Sequence, residues 1–239
     1  MKKVLFLCVA LASAGSTIWA QNNSDFLQFF PNREGAQLVN KTYDENNDLQ
    51  STTTMTVQKY YDYQDGSDVQ IDFVMVDADG NQIDQGNIEA YYQDGSFYLK
   101  MSNSMAMLPD VTKYLSLENE LVADFLDYPN PMGTNDLQNW EPVFAMDGGD
   151  FTIYSKANKK DFVRIHDYNR QYVGDEDIQT PAGNFHAYKV TYDADITCEG
   201  KTTTYQGVEW FAPGAGIVRS EIYKDKNLQN YTVLSSLVK

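Results

Sequence analysis

Apolar and polar residues alternate along most of the chain after Ala36, with the two-residue period of strands that bury one face and wet the other. Val69, Ile71, Phe73 and Met75 alternate with Asp68, Gln70 and Asp72. Thr52, Thr54 and Thr56 alternate with Thr53, Met55 and Val57, and Phe97, Leu99 and Met101 with Tyr98 and Lys100. Asp65-Gly66, Asp79-Gly80 and Asp94-Gly95 punctuate these runs, and such pairs supply the positive φ of tight hairpin turns. Tyr63-Gln64-Asp65-Gly66-Ser67 returns as Tyr92-Gln93-Asp94-Gly95-Ser96. Two similar hairpin tips are implied, but not a solenoid, because the flanking segments diverge and no third copy follows.

Between Ser102 and Gly149 the alternation fails, and Pro109, Pro129, Pro131 and Pro142 interrupt the stretch. Tyr114, Leu117, Leu121 and Phe125 suit a helix, while Leu115, Leu117, Leu121 and Phe125 suit a strand equally well. The reading is a short helix near Ser104 to Leu115, then an extended segment reaching Tyr128. From Phe151 the strand pattern resumes through Ile153, Phe162 to Tyr172, Phe185 to Ile196, Thr202 to Phe211, Ile217 to Tyr223 and Leu228 to Leu237. The pattern therefore predicts a mainly β fold, with about ten antiparallel strands joined mostly by short turns and little helix.

The first residues do not belong to that pattern. Lys2 and Lys3, the apolar run Val4 to Ala14, and Ile18-Trp19-Ala20 before Gln21 form a secretory signal peptide, with cleavage expected after Ala20. Cys8 raises the alternative of a lipoprotein, but bulky Leu7 precedes it where such signals take a small residue. The expected organisation is a signal peptide over 1–20, a lead-in over 21–35 and one antiparallel β domain over 36–239, soluble in the periplasm. No mature segment approaches the length of a membrane-spanning helix. Cys198 is the only thiol left in the mature chain, so no internal disulfide forms. Two of the 18 basic residues and none of the 34 acidic ones lie in the first twenty, leaving 16 against 34, a net charge of −18. That acidity repels nucleic acid and anionic lipid, and no basic cluster longer than Lys159-Lys160 offsets it.

Two turns in the second half are more specific. Thr180-Pro181-Ala182-Gly183, with Pro second and Gly fourth, reads as a type I turn feeding Phe185-His186-Ala187-Tyr188-Lys189-Val190. Trp210-Phe211-Ala212-Pro213-Gly214-Ala215-Gly216-Ile217-Val218-Arg219-Ser220-Glu221 joins two strands through a Gly-rich bend. These motifs resemble the TapB-like family of exported Bacteroidetes proteins, over roughly Ala36 to Leu237 and most sharply after Thr180. The resemblance implies a curved antiparallel sheet, similar to the LolA/LolB half-barrel, and carries over no catalytic residue.

Candidate chemistry is sparse. The bend reads first as structural, with Pro213 fixing entry and Gly214 and Gly216 taking φ values closed to other residues; its functional alternative makes Trp210 and Phe211 the rim of an apolar pocket, with Arg219 and Glu221 as polar anchors. Asp77-Ala78-Asp79-Gly80-Asn81 offers oxygens at alternate positions, but Gln82 stands where a calcium loop needs Gly, and a plain hairpin is favoured. Met75, Met101, Met105 and Met107 offer thioethers to Cu(I) but read as core, having no adjacent His or Cys. His166, His186 and Cys198 lie in strands with no nucleophile motif around them. No catalytic, cofactor or metal residues are assigned. The leading expectation is a non-catalytic periplasmic binding or carrier domain for an apolar or weakly polar ligand, or a segment of an envelope protein. An enzyme acting on envelope glycans, or a structural envelope protein, is the alternative, and the aromatic excess of 17 Tyr, 12 Phe and 3 Trp suits either sheets or sugar stacking.

Overall fold

The structure is a computed structural model that describes residues 30–63, 66–93, 96–100, 111, 113–116, 118–123, 125–129, 144–146 and 148–238. Its strands are β1 (Gln37–Asp44), β2 (Leu49–Asp62), β3 (Gly66–Asp77), β4 (Gln82–Gln93), β5 (Ser96–Lys100), β6 (Asn119–Ala123) and β7 (Phe125–Pro129). They continue as β8 (Phe144–Met146), β9 (Gly149–Ser155), β10 (Asp161–Thr180), β11 (Gly183–Cys198), β12 (Lys201–Ala212), β13 (Gly216–Lys224) and β14 (Asn227–Val238). All belong to one antiparallel sheet in the order β6-β9-β10-β11-β12-β13-β14-β1-β2-β3-β4-β5-β7, with β8 beside β10.

The expected single antiparallel sheet is therefore present, with fourteen strands among the described residues rather than about ten. The additions include β4, where Gly86 and polar residues blur the alternation, the short β8, and the division of the expected extended segment into two strands. The extended segment expected up to Tyr128 is β6 and β7. Most of the short helix expected over 104–115 lies outside the described residues; within them, Tyr114 N–H donates to the Val111 carbonyl in a single turn.

A sheet with one apolar face must cover that face, and this one does so by curling over itself. One core unites Leu38, Ile71 and Met75 with Ile153, Ile165 and Ile196, drawn from strands far apart in the sheet order. Across the curl β10 touches β13 and β14, which are not its hydrogen-bonding neighbours. At the β10–β11 turn, Ala182 N–H donates to the Leu234 carbonyl on β14, 3.4 Å away. The two ends of the strand order, β6 and β7, are separated by one residue of chain, so the edges approach each other there.

The inner face is read off the alternation: Val163, Ile165 and Asp167 on β10, Tyr205, Gly207 and Glu209 on β12, and Val218, Ser220 and Ile222 on β13 are all buried. On β10 the register slips between Tyr168 and Gln171, where Asn169 adopts φ 53°. That bulge inserts an extra residue and so turns Arg170 to the same inner face as Asp167.

Candidate functional site

The bulge brings a charged cluster into the interior that the strand pattern did not single out. Arg170 is fully buried, and its Nη1 donates to Asp167 Oδ2 at 3.0 Å while Nη2 donates to Glu209 Oε2 at 3.4 Å. Both carboxylates are also fully buried. The guanidinium stands 5.1 Å from the centre of the Tyr192 ring. That ring lies over Gly207, whose register partner is Tyr192, and a Cβ at 207 would overlap it. Burial pushes the Asp167 carboxyl up to about 7, and Glu209 raises it further, while Arg170 and His166 oppose the shift. The signal for this cluster was present in the sequence as Asp167 and Glu209 standing at inward positions of strands. Nothing in the alternation marked the bulge that adds Arg170.

The structure sets Trp210 and Arg219 opposite one another in register on the outer face, where Trp210 is nevertheless 5% exposed. Lys189 Nζ lies 4.8 Å from the indole centre and the Arg219 guanidinium 5.9 Å, and Trp210 Nε1 donates to Glu176 Oε1 at 2.8 Å. Arg219 in turn donates to Glu221, from Nε at 2.8 Å, and Glu221 also accepts from the Tyr223 hydroxyl. Phe211, after a register shift, belongs instead to the core against Tyr188. Trp210, Arg219 and Glu221 thus form a packed outer network, and Phe211 faces away from it. In the bend, Gly214 and Gly216 adopt φ 69° and 68° after Pro213, and in the other turn Pro181 and Ala182 connect the paired residues Thr180 and Gly183.

A depression of about 740 Å³ opens across the outer face beside β9 and β10, lined by Val122, Thr152, Tyr154, Arg164, His166 and Asp195 among others. A second, of about 400 Å³, adjoins it through shared Asp161, Arg164 and Thr197, and adds Tyr114, Lys160 and Phe162. Tyr114 and Phe162 stack with ring centres 5.3 Å apart. His166 Nδ1 lies 2.8 Å from Asp150 Oδ1, and Arg164 Nε donates to Asp161 at 3.0 Å. The Tyr114 hydroxyl donates to Glu199 at 2.6 Å and accepts from Cys198, which lifts its pKa and lowers that of Glu199. Neither depression is lined by Trp210, Phe211, Arg219 or Glu221.

The remaining candidates resolve into structure. Asp77 accepts backbone N–H groups of Asp79 and Asn81, as a turn carboxylate does, and no group of three or more metal-ligating side chains occurs among the described residues. Met75 is core, whereas Met101, Met105 and Met107 lie outside the described residues. His186 bridges Asp175 and Asp177 through its two ring nitrogens on the exposed β10–β11 hairpin.

The curled sheet superposes on the solved structure of a protein described as an exported protein with YmcC-like fold from Bacteroides fragilis NCTC 9343. That solved structure superposes with a TM-score of 0.82 and 31% identity, covering 90% of this chain and all of that one. A protein described as a lipoprotein from Parabacteroides distasonis ATCC 8503 superposes with a TM-score of 0.80 and 34% identity over the same shares. The chain belongs to the DUF3108-like family, which matches residues 33–234. No curated protein matches it. No helix among the described residues is long and apolar enough to cross a membrane.

Proposed function

We propose that the protein is an exported, non-catalytic binding domain of the cell envelope, TapB-like within its family, whose outer groove takes a weakly polar ligand such as a sugar chain. The observation that carries this reading is the pair of adjoining depressions joined through Asp161, Arg164 and Thr197. Their volumes fall in the range of small-molecule sites. Tyr154, Tyr114 and Phe162 supply apolar aromatic surface, and Arg164, His166, Asp195 and the Thr side chains supply hydrogen bonds, which is the pairing that a ligand with an apolar face and polar edges needs. Export is supported by the signal-peptide pattern of the first twenty residues and by relatives described as exported or lipoprotein. Net acidity argues against nucleic acid as the partner. The test is native mass spectrometry of protein purified from the periplasm of its own host, beside Tyr154→Ala and Arg164→Ala. A bound non-protein mass that both variants lose supports the groove, and a mass that both retain refutes it.

A further inference from the structure

A row of polar side chains crosses the inner face at one level of the curl. By register Ser51 on β2 stands opposite Thr42 on β1, Thr42 opposite Thr232 on β14, Thr232 opposite Ser220 on β13, and Ser220 opposite Glu209 on β12. On β11 the position next in line is Val190, and Glu209 reaches past it to Arg170 and, through Arg170, Asp167 on β10. With strands about 4.8 Å apart, the row from Ser51 to Glu209 runs about 19 Å around the curl. Ser51, Thr42, Ser220, Glu209, Arg170 and Asp167 are each no more than 3% exposed. On the same strands and the same face Ile222 and Leu234 stand two residues away and Leu38 and Met55 four away, so this is a polar stripe within a largely apolar lining.

Polar groups taken out of water cost free energy unless they are hydrogen-bonded. Part of the stripe satisfies itself, since the Thr42 and Thr232 hydroxyls lie 2.8 Å apart. Three residues in or beside it do not. Both amide atoms of Asn230, Oδ1 of Asn40 and the second carboxylate oxygen of Asp167, Oδ1, have no hydrogen-bond partner among the described residues. Asn230 lies two residues from Thr232 on β14, opposite Ile222, and Asn40 two from Thr42 on β1, opposite Leu234, so these two flank the stripe on either side, while Asp167 stands at its β10 end in contact with Arg170.

We propose that this inner stripe is a hydrogen-bonding site for a hydroxyl-bearing guest, separate from the outer groove and not dependent on it. The donor and acceptor pattern selects the chemistry. Asn230 presents both a donor and an acceptor, Asn40 Oδ1 only an acceptor, and the Ser and Thr hydroxyls either; a hydroxyl group, which donates once and accepts twice, meets all three demands. Anions are disfavoured, because two carboxylates face one guanidinium. Ordered water and the hydroxyl groups of a small polyol or sugar share this chemistry.

A high-resolution crystal structure of the mature protein, with native mass spectrometry of the same sample, tests the site. The expected result is non-protein oxygen within hydrogen-bonding distance of Asp167 Oδ1 and of the Asn230 amide. Isolated peaks with no added mass identify water, and connected density with a matching added mass identifies an organic ligand. The proposal is overturned if those atoms meet only protein groups or apolar packing. Asn230→Leu gives an independent reading by sign. Loss of a guest held by the amide lowers Tm by about 2–8 °C, whereas an amide that was merely unsatisfied is improved by an apolar replacement, and a raised Tm contradicts the proposal.

Discussion

Replacing Asp167 with Asn tests the energetics of the interior directly, because it keeps the shape and removes the titration. The carboxyl is shifted from 3.8 to about 7 by burial and by Glu209, against the pull of Arg170 and His166. The folded chain therefore holds a proton on Asp167 up to about pH 7, while the unfolded chain releases it near pH 4. Between those values the unfolded state binds fewer protons, so this group makes folding less favourable as pH rises, and its penalty is complete above pH 7. A shift of about three units at 1.36 kcal/mol each puts the ceiling near 4 kcal/mol. Asparagine stands in for the neutral acid, with its carbonyl still able to accept from Arg170. Urea unfolding of both proteins at a series of pH values from 5 to 8 cancels the contributions of all other titrating groups in the difference. The expected result is a variant already more stable by about 1.5 kcal/mol at pH 5, the difference growing to about 4 kcal/mol at pH 8. A difference that does not change with pH, or a wild type that gains on the variant as pH rises, refutes the assignment of Asp167 as a buried neutral acid.

Arg170→Met leaves two buried carboxylates facing one another, and loss of one partner of such a cluster is expected to cost about 3–5 kcal/mol, read from the urea midpoint at pH 8. Gly207→Ala places a Cβ in the Tyr192 ring, so the ring must leave its place beside Arg170; a loss of about 1–3 kcal/mol is expected, and an unchanged midpoint would show that the ring yields freely. Gly216→Val meets both a left-handed φ of 68° and the Phe30 ring, whose Cε1 would lie 2.9 Å from the new Cβ, so a lowered Tm is expected from about 2–4 kcal/mol of combined strain and overpacking. N-terminal sequencing of periplasmic protein should begin at Gln21, whereas an acylated Cys8 would place the chain with its lipoprotein relative.

The alternation carried most of the architecture, because a curled sheet with one buried face imposes a period of two on every strand. Val69, Ile71, Phe73 and Met75 line the core as their spacing requires. It could not show the site as well. Asp167 and Glu209 were visible as charges at inward positions, but Arg170 joins them only through the bulge at Asn169, and a one-residue slip in register leaves no mark on composition. Trp210 was legible as an aromatic of a Gly-rich bend, yet its surroundings, Lys189, Glu176 and Arg219, come from three different strands. The groove likewise draws Val122, Tyr154, Arg164 and Asp195 from four strands, none of which carries a local motif.

The binding reading rests on the groove, and its most direct test is whether the protein carries something there in its own host. Native mass spectrometry of wild-type protein from the host periplasm should show a non-protein mass that Tyr154→Ala and Arg164→Ala both fail to retain, with folding unchanged by circular dichroism. Wild-type protein that leaves the host as bare polypeptide, or folded variants that keep the same bound mass, would contradict it.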